Sequence, residues 1–181
     1  MQFTETGVQG AFVIDLRRIV DERGFFARQW CHDELAKRGL CAHIAQINTS
    51  ESTLRGTVRG MHYQETPHAE VKIAHCPRGA VFDVVVDLRP DSPTFRRWHG
   101  VELTGENFRA LYVPEGCAHG FITLRDDTVL TYFTSKPYAP AAAKGVRFDD
   151  PAFGIRWPEE VRVVSAADRQ WPVFPNGSQQ A

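Results

Sequence analysis

From residue 43 onward the chain is a succession of short apolar runs, most of them separated by turn-forming residues such as glycine, proline, asparagine and aspartate. Each run has the length of a β-strand, and an earlier strand is predicted over Ala11–Leu16. Only His32–Gly39 predicts a helix, because acids near its start, bases near its end and a final glycine suit helix termini. Many short strands with one helix predict an all-β sandwich or barrel of antiparallel sheet. The predicted strands after the helix are His43–Asn48, Thr57–Tyr63, Val71–His75, Ala80–Asp87, Trp98–Leu103, Phe108–Val113, Gly120–Thr123 and Val129–Thr134.

The length and charge of the chain limit its organisation and its partners. Its 181 residues, 43% of them hydrophobic, are enough for one ordinary core and too few for two, so we expect a single domain over residues 1–181. With 21 basic and 22 acidic residues the net charge is −1. Nonspecific binding to nucleic acid or to an anionic membrane needs a basic surplus, so neither partner is expected, although a local basic pocket remains open.

The cysteines and the first residues predict a location. Cys31, Cys41, Cys76 and Cys117 are scattered and include no C-x-x-C pair, so neither a structural zinc site nor a disulfide framework is indicated. Met1–Thr6 lacks the basic start and apolar core of a signal peptide, and charge interrupts every apolar run well before membrane-spanning length. We therefore expect a cytoplasmic protein.

Prolines recur from Pro137 onward and interrupt any regular element. They predict an irregular C-terminal segment with short helical turns. The small polar residues 176–181 predict a frayed end.

The densest group of reactive side chains lies between Val58 and Lys72, in V-R-G-M-H-Y-Q-E-T-P-H-A-E-V-K. A strand-like rhythm predicts that Arg59, His62 and Lys72 project from sheet rather than from a loop. Clustered positive charge destabilises a fold unless an anion is present to offset it. The stretch favours a site for an anionic ligand over a solvated rim.

His62, Tyr132 and Asp168 form one candidate group for proton transfer. A histidine can take a proton at neutral pH, a carboxylate can fix its tautomer, and a tyrosine can return a proton from the far side. Spacing alone does not join the three. Tyr132 as a core aromatic and Asp168 as a helix cap in S-A-A-D remain the alternative.

Lys72 is a second candidate. If its face of the strand is interior, it is a buried cation that needs a partner, and Asp83 between apolar residues could supply it. A buried lysine would stabilise an enolate oxygen. A solvated Lys72 remains the alternative.

The stretch P-E-G-C-A-H-G, Pro114–Gly120, is similar to the second motif of cupin domains, in which the histidine often binds a metal. The earlier strand offers only His62-Tyr63-Gln64 where a metal site needs H-x-H, so we predict no metal. Cys117 lies near His119, but no oxyanion loop accompanies it, and we predict a buried, passive thiol.

Several motifs in order resemble dTDP-4-dehydrorhamnose 3,5-epimerase and related nucleotide-sugar epimerases, in register from about Gly7 to Pro172. They are D-E-R-G-F-F at Asp21–Phe26, Q-I-N-T-S at Gln46–Ser50, R-G-M-H-Y-Q at Arg59–Gln64, Lys72, V-F-D-V-V-V-D-L-R at Val81–Arg89, S-P-T-F at Ser92–Phe95, P-E-G-C-A-H-G-F at Pro114–Phe121, Tyr132, Y-A-P at Tyr138–Pro140 and S-A-A-D at Ser165–Asp168. The resemblance implies a cupin-type jelly roll without metal or organic cofactor. It also implies a homodimer whose N-terminal strands cross to the partner.

The resemblance also implies roles. His62 would remove the proton beside the 4-keto group, Asp168 would orient it, Lys72 would stabilise the enolate, and Tyr132 would return a proton from the opposite face. The positions that match contacts to the diphosphate or sugar are Arg23, expected from the partner chain, Arg59, Gln46, Asn48 and His119; Tyr138 matches a residue that stacks on the base.

Three positions depart from the family pattern. Arg28 and Ala143 stand where the family has glutamate, and Ala167 stands where lysine often precedes the final aspartate. In the family all three lie on the nucleotide side. We hypothesise intact epimerisation chemistry with an altered nucleotide or sugar, because two acidic acceptors are lost there.

The sequence therefore predicts an epimerase of a nucleotide-linked 4-keto-6-deoxyhexose, acting at C3, C5 or both. Retention of Tyr132 and the full length favour it over a 3,4-ketoisomerase of the same fold. Two different classes of protein stay open beside it: a non-catalytic nucleotide-sugar-binding cupin and a metal-dependent cupin oxygenase.

Overall fold

The structure is a computed structural model, and it describes residues 1–174. Strands dominate it, with two short helices. The elements are β1 (Gln2–Glu5), β2 (Phe12–Asp15), β3 (Arg18–Asp21), β4 (Gly24–Ala27), α1 (His32–Ala36), β5 (Gln46–Ser52), β6 (Thr57–Gln64), β7 (Lys72–Arg78), β8 (Ala80–Asp87), β9 (Trp98–Thr104), β10 (Arg109–Val113), β11 (Cys117–Thr123), β12 (Thr128–Thr134), β13 (Ala143–Gly145), β14 (Val163–Val164) and α2 (Ala166–Arg169).

Two sheets pack face to face. The first has the order β1-β2-β10-β7-β12-β5, and the second has the order β13-β6-β11-β8-β9 with β14 added parallel to β6. All other strand pairs in both sheets are antiparallel. The predicted all-β sandwich is confirmed. β3 and β4 form a separate hairpin that pairs with neither sheet within the described chain.

The main core lies between the two sheets. It joins Ala74 and Leu111 of the first sheet to Val85 and Phe121 of the second, all of them buried. The outer face of the first sheet is partly covered by α1, whose Leu35 is buried against it. Along β5, at the edge of the first sheet, more exposed and less exposed residues alternate, as expected for a strand with one buried face.

The second sheet is buried on both faces. Its outer side packs against the proline-rich C-terminal segment, which contributes Phe148 and Phe153. A strand that is covered on both faces has no solvent-exposed side. Almost every residue of β8 and β11 is therefore buried, and polar residues do not alternate along them. The irregular C-terminal segment predicted from its prolines therefore has a structural role as the cover of this sheet.

Several predicted boundaries were wrong. α1 ends at Ala36 instead of Gly39, β5 begins at Gln46 instead of His43, and β7 continues through Pro77 to a turn at Gly79, whose φ is +80°. The charged stretch between Asp21 and Gly24 forms the turn of the β3–β4 hairpin. β1, β3, β4, β13 and β14 were not predicted, because strands of two to four residues are too short to show periodicity, whereas α2 is one of the short helical turns expected in the C-terminal segment.

Two further expectations concern the ends and the membrane. The frayed end predicted for residues 176–181 lies outside the described residues. In the part of the chain that the structure describes, no helix is long and apolar enough to cross a membrane.

Candidate active site

His62 and Asp168 meet although 106 residues separate them. His62 lies on β6, and its Nε2 is 2.6 Å from Oδ1 of Asp168. Asp168 lies in the first turn of α2, where its amide donates to the side chain of the N-cap residue Ser165. Ser165, not Asp168, is therefore the cap, and the interpretation of Asp168 as a cap was wrong. The carboxylate is buried, whereas the His62 side chain is 44% exposed, as a base that meets a ligand must be.

The charge state of Asp168 fixes the tautomer of His62. Burial raises the pKa of Asp168, but the hydrogen bond and charge of His62, together with the Gly60 amide and the Trp171 indole, lower the pKa below its usual value. An ionised carboxylate only accepts hydrogen bonds, so Nε2 of His62 carries the proton. Its Nδ1 keeps the lone pair and is the atom that can take a proton from a ligand.

An irregularity in β6 brings Arg59 to the same side as His62. In a regular strand, residues three apart point to opposite faces. Here the pairing with β11 shifts between His119 and Phe121, so that His62 lies opposite His119 while Arg59 lies opposite Phe121. Phe121 belongs to the core between the sheets. Arg59, His62 and His119 therefore share the inner side of the second sheet.

Gly60 makes this irregularity possible. Its φ is +117°, and a Cβ there would lie 2.7 Å from Cα of Gly120 and 2.8 Å from the carbonyl oxygen of His119. Only glycine permits both the backbone angle and the close approach of the two strands. The Gly60 amide also donates to Oδ2 of Asp168 at 3.2 Å, so the irregular strand holds the carboxylate as well as the histidine.

Residues of the first sheet face His62 and Arg59 from the opposite side. Lys72 of β7 lies opposite Thr134 of β12, and Tyr132, two residues before Thr134, lies opposite Ala74 and Asn48. Residues two apart on a strand share a face, as do directly paired residues. Since Ala74 is in the core between the sheets, this pairing turns Lys72, Tyr132, Asn48 and Gln46 inward, towards the second sheet.

Lys72 is buried, and its partner is Glu70. Nζ lies 3.2 Å from Oε1 of Glu70 and donates to the backbone oxygen of His62 at 3.3 Å. Oε2 of Glu70 accepts from Nε2 of Gln64 at 3.2 Å. Asp83, the partner considered from the sequence, was wrong for Lys72. The interpretation of Lys72 as a solvated side chain was wrong too, because only 10% of its side chain is exposed.

Asp83 pairs with His119 instead. Its Oδ1 lies 2.9 Å from Nε2 of His119, and both side chains are almost fully buried. The second carboxylate oxygen of Asp83 is buried without a hydrogen-bond partner among the described residues. His119 lies directly opposite His62 in the strand register, so this second pair adjoins the first.

Tyr132 is partly buried and packs against the core between the sheets. Burial raises the pKa of its hydroxyl, and the nearby charge of Glu70 raises it further, while Arg59 lowers it. A phenol that stays protonated is suited to donate a proton. The strand register places Tyr132 on the same inward face of the first sheet as Lys72.

Arg59 of β6 and Gln46 of β5 also border the space between the inward-facing side chains of the two sheets, called the cavity below. Arg59 donates to Oγ of Ser52 at 3.1 Å and to the Glu51 carbonyl at 2.7 Å. Gln46 accepts from the amide of Tyr138 at 2.7 Å, and the Tyr138 side chain is exposed. This hydrogen bond from its amide holds the segment that carries the exposed Tyr138 ring.

Arg23 is not brought to this site by its own chain. It lies at the turn of the β3–β4 hairpin, 82% exposed, with an ion pair to neighbouring Asp21. The three departures lie on different elements. Arg28 follows β4 and lies 3.7 Å from Glu34 of α1, Ala143 is on β13 opposite Gln64, and Ala167 precedes Asp168 on α2.

Two further predictions concern the thiol of Cys117 and a possible metal site. Cys117 is buried, which raises the pKa of its thiol to about 12, and His119 contacts Asp83 instead of the sulfur. The predicted burial of this thiol is confirmed. Among residues 1–174, no group of three or more His, Cys, Asp or Glu side chains is placed to hold a metal ion.

Sequence reasoning missed two residues of the site, Glu70 and Trp171. Glu70 is two residues before Lys72, a spacing that places both on one face of an extended segment. Trp171 follows Asp168 by three residues and donates Nε1–H to it. The spacing of three residues could have indicated the contact between Trp171 and Asp168. It could not have shown that Asp168 also accepts a hydrogen bond from His62 of β6.

The family model described as dTDP-4-dehydrorhamnose 3,5-epimerase matches residues 5–176. The chain belongs to this family. A 3,5-epimerase of Sinorhizobium fredii is 41% identical over 177 residues, which cover 95% of this chain and 89% of the relative. A dTDP-4-dehydrorhamnose 3-epimerase of Streptomyces niveus is 40% identical over 93% of this chain and 82% of the relative.

A solved 3,5-epimerase of Bacillus anthracis, with TDP and pyrophosphate bound, superposes with a TM-score of 0.91 at 38% identity over 96% of this chain and 99% of that one. A Legionella pneumophila enzyme in complex with dTDP-4-keto-L-rhamnose gives 0.86 at 34% identity over 93% and 89% of the two chains. The predicted family and its cupin-type jelly roll are confirmed.

Proposed function

We propose that the chain epimerises a dTDP-linked 4-keto-6-deoxyhexose through an enolate, without a cofactor. The observation that carries the proposal is the pair His62–Asp168, with a free Nδ1, beside the buried ammonium group of Lys72. The solved relatives contain TDP or dTDP-4-keto-L-rhamnose, which supports a substrate of this class.

Each group has one role in the reaction. Nδ1 of His62 takes the proton from the carbon beside the C4 ketone, and the electron pair of the C–H bond moves to the carbonyl oxygen. Lys72 stabilises the resulting enolate charge. Tyr132 donates its proton to the opposite face of the carbon, which inverts the centre, and solvent then restores Tyr132 and His62. General acid and base catalysis supplies about 10² to 10⁴ in rate.

Arg59, Gln46, Asn48 and His119 are proposed to contact the diphosphate or sugar, with Tyr138 stacking on the base. Arg59 is an exposed guanidinium at the rim of the cavity, suited to a phosphate. His119 is held by Asp83 and directed inward beside His62. Exposed Tyr138 offers a face for a nucleobase.

The relatives include enzymes named for epimerisation at C3 alone and at both C3 and C5. The 3-epimerase relative and the 3,5-epimerase relative differ from this chain almost equally, at 40% and 41% identity. We propose that Arg28, Ala143 and Ala167 alter nucleotide or sugar preference. Arg28 contributes a positive charge in place of an acceptor, which changes the hydrogen bonding available to a base.

We further propose a cytoplasmic homodimer with exchanged N-terminal strands. The four free cysteines suit a reducing compartment. The apolar β3–β4 hairpin has no partner sheet in the described chain, which supports the exchange. Arg23 at its turn would then reach the partner's site.

The test is deuterium uptake from D₂O into dTDP-, CDP- and GDP-4-keto-6-deoxyhexoses, read by mass and proton NMR. We expect uptake at C3, C5 or both, reduced by at least about a hundredfold in His62→Ala, because general base catalysis is lost. His43→Asn, which replaces an exposed histidine, is the matched control and should retain activity.

The outcomes separate the candidate functions. Uptake with the dTDP sugar at both centres identifies a 3,5-epimerase, and uptake at C3 alone identifies a 3-epimerase. Preference for CDP or GDP would support the specificity hypothesis, whereas equal nucleoside affinities with full dTDP activity would overturn it. Conversion to a 3-keto sugar would indicate a ketoisomerase. Binding without any uptake would overturn the proposed catalysis.

A further inference from the structure

The indole of Trp171 contacts both members of the His62–Asp168 pair. Its Nε1 donates to Oδ1 of Asp168 at 3.3 Å, the same oxygen that receives Nε2 of His62 at 2.6 Å. Its ring also meets the imidazole of His62 edge to face, with centroids 6.4 Å apart and an interplanar angle of 70°. One side chain thus restrains the carboxylate and the base at once.

The strand beside His62 leaves space for this indole. Gly145 of β13 pairs with His62 in the register. A Cβ at Gly145 would lie 2.4 Å from Cε2 and Nε1 of Trp171, so the indole occupies the space of the missing side chain. The local sequence therefore fits the ring closely against the strand that carries the base.

We propose that Trp171 is a positioning residue for the epimerisation, holding Asp168 and the His62 ring in the geometry of proton abstraction. The inference rests on the proposed function, because it assigns Trp171 to the same reaction. Trp171 acts through the pair and is given no contact with the substrate.

A second donor at Oδ1 has a physical consequence. A carboxylate oxygen shared between two N–H donors cannot rotate away from either without losing a hydrogen bond. The indole N–H also draws charge from Asp168 and is one cause of its lowered pKa. Removing the donor should make the carboxylate more basic, so that the pair takes up its proton at a higher pH.

Charged groups around the pair are already neutralised by others. Arg147, which follows β13, donates to the Arg169 carbonyl and is paired with Asp149. Lys72 is paired with Glu70. His62 is therefore the hydrogen-bond partner through which a change at Trp171 should act, and the effect should be confined mainly to the His62–Asp168 pair.

Three variants test the proposal. Trp171→Phe keeps an aromatic ring and removes the donor. Gly145→Ala leaves the indole in the sequence but introduces the Cβ that would displace it. Trp157→Phe is the matched control, because Trp157 also donates Nε1–H, to the Phe148 carbonyl at 2.9 Å, and packs edge to face on another ring, Phe82.

Two readouts are compared at equal folded fraction, checked by circular dichroism. The first is kcat and KM for deuterium uptake as a function of pH. We expect Trp171→Phe to lower kcat about ten- to a hundredfold, as for the loss of one hydrogen bond to a charged group, with KM changed less than about twofold. The acid limb of the kcat profile should move to higher pH, because the Trp171 donor is one cause of the lowered pKa of Asp168. The second is the proton resonance of His62 Nε2–H in the substrate-free protein.

We expect Trp171→Phe and Gly145→Ala to shift that resonance and the acid limb, and Trp157→Phe to change neither. The proposal is overturned if both variants match Trp157→Phe in the resonance and the pH profile. If the wild-type chain shows no uptake, the proposed function fails, but the resonance still decides whether Trp171 positions the pair. An unchanged resonance in that case overturns the positioning role.

Discussion

Lys72 and Glu70 form a buried ion pair within the proposed site. A buried cation without a partner is strongly unfavourable, so Glu70 allows Lys72 to remain charged where an enolate would form. Burial is the larger cause that raises the pKa of the Tyr132 hydroxyl, and the charge of the same carboxylate raises it further. A single glutamate thus influences both groups that act after proton abstraction.

Glu70→Gln should move the alkaline limb of the activity profile to lower pH. Tyr132 donates a proton only below its pKa, and removing the Glu70 charge removes one of the causes that raise this pKa. The displacement is measured as kcat against pH.

Glu65→Gln is the control for Glu70→Gln. Glu65 is also a glutamate close to β6, but its partner Lys144 is partly exposed at 3.8 Å. Its profile should match the wild type. An alkaline limb that stays in place in Glu70→Gln would show that Glu70 does not act on Tyr132.

At the scale of elements, the register of β6 against β11 decides which side chains face the cavity. The shift between His119 and Phe121 places Arg59 and His62 on one side, and Gly60 is the residue that permits it. A regular pairing would turn one of the two away from the ligand.

Gly60→Ala should destabilise the fold by about 3 kcal/mol or more, because a Cβ meets backbone atoms of β11 that cannot move aside. Urea denaturation followed by circular dichroism measures this. Gly39→Ala is the control, since Gly39 has φ +70° but open space around it, and strain alone should cost about 1 kcal/mol. Equal losses in the two variants would contradict the steric argument.

The sequence predicted most long strands correctly, because their apolar runs and turn residues are local signals. Ala80–Asp87 was predicted with both of its ends. The irregularity at Gly60 was not predicted, because it depends on how closely another strand approaches. The residue types of the site were recognisable from local motifs. The pairing of Lys72 with Glu70, and of Asp83 with His119, was not, because it depends on which side chains the fold brings together.

At the scale of the whole molecule, the β3–β4 hairpin exposes an unusual amount of apolar surface. Ile19, Val20 and Phe26 are 59%, 76% and 61% exposed, respectively. Adjacent exposed apolar side chains on a hairpin are typical of an interface. They support the proposed homodimer, in which Arg23 at the hairpin turn contributes to the partner's site.

Phe26→Asp should therefore yield a monomer. Light scattering after size exclusion should give twice the 20.4 kDa chain mass for the wild type and a single chain mass for the variant. We expect the variant to raise KM for the nucleotide sugar, since Arg23 would no longer reach a second site. Leu54→Asp, at a side chain 54% exposed, is the control and should remain dimeric. A wild-type monomer with full activity would contradict the proposal.

The separation of 106 residues between His62 and Asp168 has a consequence during synthesis. A ribosome completes β1 to β14 before it adds α2. A nonsense mutation just before Ser165 would release a chain that retains every strand of both sheets, with His62 and Lys72 but no Asp168. Premature termination in this short interval would therefore leave the proposed base in the chain without the carboxylate that fixes its tautomer.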